Sequence, residues 1–176
     1  TLELARRLLS EGKVAEAERA CELVLEHSPD AVEALNVCAI ASLRDKKNYR
    51  AIAMLERAIG VAPEDPITHH NLGRAYESVG RIDDAIAALE RSVQLRPVYH
   101  VARIRLAALL EQKGELDRAV LNYARALDDA QRQGRWLDAA GTPASLRPYV
   151  QRAVVAVRTH RSAALHRLIE TLQGRY

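Results

Sequence analysis

With 176 residues, 48% of them hydrophobic and a net charge of +3, the chain has the apolar mass of a folded protein and falls outside the disordered class. No apolar run approaches the ~20 residues that a membrane-spanning helix needs, and two cysteines make neither a disulfide framework nor a zinc site. Phe is absent and aromatics are 4%, so the apolar content is mainly Ala, Leu and Val, which suits close helix-on-helix packing.

In chain order, the spacing predicts helices over Leu2–Ser10 and Val14–His27, then over Ala31–Arg44 and Asn48–Val61. Residues 66–97 give the clearest pair. Ile67, Asn71, Leu72, Ala75, Tyr76 and Val79 recur at three and four residue steps up to Gly80. Ile82, Ala85, Ile86, Leu89 and Val93 form a second stripe that Pro97 closes. A last pair runs over His100–Lys113 and Leu116–Asp129. The connections are short, so consecutive helices are expected to lie antiparallel.

These pairs repeat with a period of 34 residues, seen in Ala17, Ala51, Ala85 and Ala119 and in Pro29, Pro63 and Pro97. Gly12, Gly80 and Gly114 share the grid, with Lys46 in the remaining slot. A non-glycine residue at positive φ costs roughly 1–2 kcal/mol, so the turn at Lys46 is expected to be remodelled. The units are 1–29, 30–63, 64–97 and 98–130. Each is too small to bury its own apolar side and is completed by its neighbour.

After Asp129 the period fails, and 131–145 reads as a connecting loop with Gly134, Gly141 and Pro143. A helix over 146–174 follows, carrying Val150, Val154, Val157, Leu165, Leu168 and Leu172 on one stripe. Its stripe must be covered, either as a cap on the array or as the contact of a homodimer. Residues 1–130 hold 18 basic and 21 acidic side chains, whereas 131–176 holds eight arginines against Asp138 and Glu170. The arginines of that tail, among them Arg147, Arg152, Arg158, Arg161 and Arg167, are spread around the helix. With almost no aromatics beside them they read as a solvated surface, not a nucleic-acid site.

Little in the chain points to covalent chemistry. Cys21 and Cys38 fall on apolar stripes and are expected to be buried small hydrophobes, since a bridge would require an oxidising compartment. His69 and His70 are adjacent and point to different faces, and His160 and His166 lack ligand spacing, so no metal or cofactor is expected. Asp83 and Asp84 sit in a first helical turn, where the helix dipole accounts for them. No nucleophile elbow or phosphate loop is present, and catalysis within this chain is not expected. The chain opens at Thr1 with neither an initiator Met nor a basic-then-apolar leader, which reads as part of a longer cytoplasmic protein.

The stretch Asn71-Leu72-Gly73-Arg74-Ala75-Tyr76, with Gly80, Ala85, Ala88, Leu89 and Pro97, resembles the tetratricopeptide repeat. The resemblance covers 1–130, with the first copy lacking the large residue expected early in its first helix. It implies an all-α, right-handed superhelical array of about four antiparallel helix pairs. Its concave groove, lined by the first helix of each pair, would hold a peptide or helix of another protein. Carried onto this sequence, that face presents Leu2, Arg6 and Leu9, then Asn36, Ile40 and Arg44. It continues with His70, Arg74 and Glu77, and ends with Ile104, Ala108 and Glu111. The alternative reading of the same residues is a solvated helix face. Members that clamp a terminal carboxylate use Lys and Arg at set groove positions. Here those positions hold Ile67, Asn71, Val101 and Arg105, of which only Arg105 fits, so a carboxylate clamp is not supported.

A further resemblance rests on Gly134-Arg135-Trp136, Thr142-Pro143, Leu146-Arg147-Pro148 and Val150 through Arg161. The segment is similar to a connector between helical repeats and an aspartyl/asparaginyl β-hydroxylase domain in some bacterial proteins. That resemblance implies an accessory, substrate-positioning role beside an iron and 2-oxoglutarate enzyme. No His here is followed two residues later by Asp or Glu, so the enzyme's own site is absent from the chain.

Overall fold

The computed structural model describes residues 1–132. The expected C-terminal helix over 146–174 and its arginines lie outside the described residues. Among the described residues there are eight helices and no strand. They are α1 (Leu2–Ser10), α2 (Val14–His27), α3 (Val32–Arg44), α4 (Asn48–Val61), α5 (Pro66–Ser78), α6 (Ile82–Leu95), α7 (His100–Gln112) and α8 (Leu116–Arg132). Three bounds shift from the sequence reading. Ala31 caps α3 and does not begin it, α7 stops one residue early, and α8 runs past Asp129 into the expected loop.

The helices fall into two compact units, one over residues 1–95 and one from Arg96 onward. In the first, α1–α2, α3–α4 and α5–α6 are hairpins, and the second helix of one hairpin packs on the first helix of the next, α2 on α3 and α4 on α5. The first helices also touch, α1 with α3 and α3 with α5. In the second unit α7 and α8 form one hairpin.

The periodic alanines have a mechanical role. Ala17, Ala51 and Ala85 are fully buried, as are Ala5, Ala39 and Ala75. A small side chain at each lets helix axes approach closely. Gly73 shows how tight this is: a Cβ there would lie 2.7 Å from Leu89 Cγ and 3.2 Å from the Ala85 carbonyl. The apolar core runs between hairpins. Ala5, Leu8, Leu9, Ala17, Val37 and Ala41 form one cluster, and Ala51, Ile52, Leu55, Leu72 and Ala75 form part of another.

The four hairpin turns share one backbone design. Gly12, Gly80 and Gly114 have φ of 78°, 76° and 83°, and Lys46 has φ 59°. In each, the following residue donates its backbone N–H back to the helix: Lys13 to Leu8, Lys47 to Ser42, Arg81 to Tyr76 and Glu115 to Leu110, at 2.8–3.0 Å. This pattern satisfies the orphan carbonyls at a helix end. The turn at Lys46 is therefore not remodelled, contrary to the sequence expectation. The hydrogen-bonded ring and the packed helices on both sides hold the lysine in the left-handed region despite its cost.

Candidate partner-binding surface

The stripe on α3 that includes Glu33, Asn36, Ile40 and Arg44 follows helical spacing, as does Ile67, His70, Arg74 and Glu77 on α5. Because α1, α3 and α5 are neighbours, these stripes and Arg6 of α1 belong to one layer of first helices. Their side chains are not equally available. Arg6 is exposed and bonds Glu3 of its own helix at 2.8 Å and Glu33 of α3. Arg44 reaches back to the Leu9 carbonyl at the end of α1, where the helix dipole favours a cation. Ile40 is half-buried against the α1–α3 core. Arg74 and Glu77 are half-buried, His70 is buried, and Ile67 is exposed.

Asn36 is spent inside the protein. Its Nδ2 donates to the Val32 carbonyl at 3.0 Å and to Thr68 Oγ1 at 2.7 Å. Its Oδ1 accepts from Asn71 Nδ2 at 2.8 Å. Thr68 in turn donates to Asp65, whose carboxylate caps α5 by accepting from the backbone N–H of Ile67 and Thr68 at 3.2 and 3.0 Å. Thr68, Asn36 and Asn71 are all buried. A satisfied buried network of this kind fixes the register of α3 on α5. Asn36 thus sets the geometry of the layer, on which Arg6, Arg44 and Ile67 are exposed and Ile40, Arg74 and Glu77 half-buried.

In the second unit, Ile104 of α7 is buried, and Arg105, Ala108 and Glu111 are half-buried. Glu111 accepts a hydrogen bond from the Tyr123 hydroxyl of α8 at 3.1 Å. Among the described residues no group of three or more His, Cys, Asp or Glu side chains is placed to hold a metal ion, and His69 Nε2 donates to the Pro63 carbonyl at 2.9 Å. No helix among the described residues is long and apolar enough to cross a membrane.

Two features of the first unit escaped the sequence reading. Cys21 of α2 and Cys38 of α3 are joined by a disulfide with their Cα atoms 5.8 Å apart, so they are not the free buried thiols expected. Within its own helix each cysteine is only one residue of an apolar stripe, and the packing of α2 on α3 brings the two stripes face to face. The other is Glu18, 7% exposed, whose carboxylate accepts from Ser42 Oγ at 3.3 Å and from Lys47 Nζ and Arg50 Nη1 at 2.8 Å each. Hydrogen bonds to Asp45 and then Glu18 hold the Lys47 ammonium above its ordinary pKa. Glu22 does the same for the Arg50 guanidinium. Further along, the Tyr76 hydroxyl donates to Glu56 at 2.8 Å while Arg81 lies 4.3 Å over its ring; burial, then Glu56, raises the phenol's pKa.

The model of the tetratricopeptide repeat matches residues 2–67 and 70–135, three quarters of the sequence. The chain belongs to the tetratricopeptide repeat family. No curated protein matches it. Among solved structures, TTC0263, a thermophilic tetratricopeptide repeat protein of Thermus thermophilus, is similar with a TM-score of 0.74 at 24% identity, over 88% of this chain and 79% of that one. MamA from Desulfovibrio magneticus RS-1 is similar with a TM-score of 0.68 at 21% identity, over 75% of each chain. At these identities the likeness is one of fold. An O-GlcNAc transferase of Thermobaculum terrenum matches at 29% identity and a TM-score of 0.68, over 74% of this chain and only 25% of the enzyme. The tetratricopeptide repeats of this chain thus share a fold found both in a small repeat protein and within a much longer enzyme.

Proposed function

We propose that this repeat array is a protein-interaction scaffold whose first-helix layer binds a peptide or helix of a partner protein, without covalent chemistry. The observation that carries the reading is the mixed surface on α1, α3 and α5: exposed Ile67 and half-buried Ile40 are interspersed with Arg6, Arg44 and Arg74. Apolar anchors beside guanidinium groups suit a protein segment with apolar side chains and some acids. Nucleic acid and membrane are disfavoured as partners, since aromatic stacking groups are scarce and the repeats carry a slight acidic excess.

The test is selection of binding peptides from a displayed library, followed by counter-screening with the double variant Ile67→Asp with Arg74→Glu. Ile67 is exposed and stands in the first turn of α5, where an acid is tolerated, so helical circular dichroism should persist. Loss of most peptide binding supports the layer as the site. Unchanged binding removes it from consideration.

A second reading is favoured by the match to the long transferase chain: the array is an accessory region that positions substrate for a catalytic domain elsewhere in a longer protein. An aspartyl/asparaginyl β-hydroxylase is one form of this, resting on residues 134–161. Assaying the full open reading frame for such an activity separates the two. Self-association through 146–174 is a further proposal that light scattering tests. The Cys21–Cys38 bond favours an oxidising compartment over the cytoplasm expected from sequence, because cytosolic thiols are kept reduced.

A further inference from the structure

We propose that the Cys21–Cys38 disulfide is a covalent latch whose redox state controls the docking of the α1–α2 hairpin on the rest of the first unit. The repeat period supplies the argument. One period on from Cys21 and Cys38 stand Leu55 and Leu72. Leu55 is fully buried, Leu72 is 6% exposed, and both belong to one core cluster. At the α4–α5 seam two leucines fill the space between hairpins. At the α2–α3 seam the equivalent positions hold two cysteines, both fully buried and 17 residues apart. A cysteine side chain is smaller than a leucine. Without the bond the first seam has less apolar contact than the second, and protein interiors tolerate such underfilling poorly.

The other links from the α1–α2 hairpin to its neighbour do not replace the bond. Arg6–Glu33 and Arg50–Glu22 are substantially exposed ion pairs, a class that contributes little. Of the ion pairs here, only those of Glu18 are shielded. The bond is therefore a covalent restraint on α2 against α3, added to the apolar cluster of this seam and to the Glu18 network.

Closing the latch removes two electrons and two protons from the two thiols. A disulfide donor, such as oxidised glutathione or a disulfide-bearing oxidase, takes them and leaves as thiols; a dithiol or phosphine reductant reverses the step. Both sulfurs are shielded, so exchange requires α2 to part from α3. The latch is set as the chain folds and then resists reductant while the hairpin is docked.

The test uses the full chain refolded with and without a phosphine reductant. The oxidised protein should weigh two hydrogen atoms less by intact mass. For a loop of this size its thermal midpoint should fall by roughly 10 °C on reduction. Amide exchange in α1 and α2 should accelerate about tenfold or more, with α5 and α6 unchanged. Cys21→Leu with Cys38→Leu, which copies the second seam, should keep slow exchange and ignore the reductant. Cys21→Ser with Cys38→Ser should reproduce the reduced protein even in oxidising buffer. Two free thiols in protein folded under oxidising conditions would overturn the proposal. So would an exchange pattern that reduction leaves unaltered. If the leucine variant fails to fold, the serine variant and the reduced wild type still decide between these outcomes.

Discussion

The α2–α3 and α4–α5 seams of the first unit occupy equivalent places in the repeat, yet they are held together by different chemistry. The second is a conventional apolar contact, with Leu72 of α5 set among Ala51, Ile52 and Leu55 of α4. The first combines a disulfide with a shielded carboxylate that gathers Ser42, Lys47 and Arg50. The turn geometry, by contrast, is the same at all four hairpins, even where lysine replaces glycine. The period thus dictates where helices start, stop and meet, while the means of fastening each junction is chosen locally.

Substitutions can break that comparison in order of expected size. Leu72→Ala removes a buried side chain from the seam that has no covalent support, and should cost about 3 kcal/mol in urea unfolding. A loss below about 1 kcal/mol would show that the leucine pair is not what fastens the second seam. Glu18→Ala deletes the acceptor shared across the first seam and strands the fully buried Ser42 hydroxyl. A loss of about 1–2 kcal/mol is expected, because Lys47 and Arg50 can turn to water. That loss should be larger in reductant than in oxidised protein, since the two devices support one contact. Lys46→Gly should stabilise by about 0.5–1 kcal/mol, relief of the left-handed strain outweighing the added freedom of the unfolded chain. A destabilised Lys46→Gly protein would mean that the lysine side chain holds the turn.

Much of the fold was legible in the sequence because periodicity is a local signal. Alanines 34 residues apart, prolines after the second helix of the first three pairs and glycines at three of the four turns mark the helix bounds to within a few residues. What could not be read depends on which stripe meets which. Cys21 looked like an ordinary buried residue of α2, and its partner lies on the next helix. The comparison of 21 and 38 with 55 and 72 is the signal that would have paired them, since Leu55 and Leu72 occupy the same places one period later. Glu18 carries no pattern in sequence, because Lys47 and Arg50 reach it from α4 and the turn before it. The expected binding surface was only partly legible for a similar reason. Spacing puts Asn36 on the same stripe as Ile40 and Arg44, but the amide is consumed by Thr68 and Asn71 of α5. Helical spacing states a direction, and only packing tells whether a neighbour already occupies it.

The account holds that the two seams are the same junction with interchangeable fastenings. Moving the cysteines tests this most directly. In a chain carrying Cys21→Leu, Cys38→Leu, Leu55→Cys and Leu72→Cys, intact mass after air oxidation should show the loss of two hydrogen atoms, because the Cα separation that admits a bond at the first seam should recur at the second. Two persistent free thiols in that folded protein would contradict the equivalence of the seams.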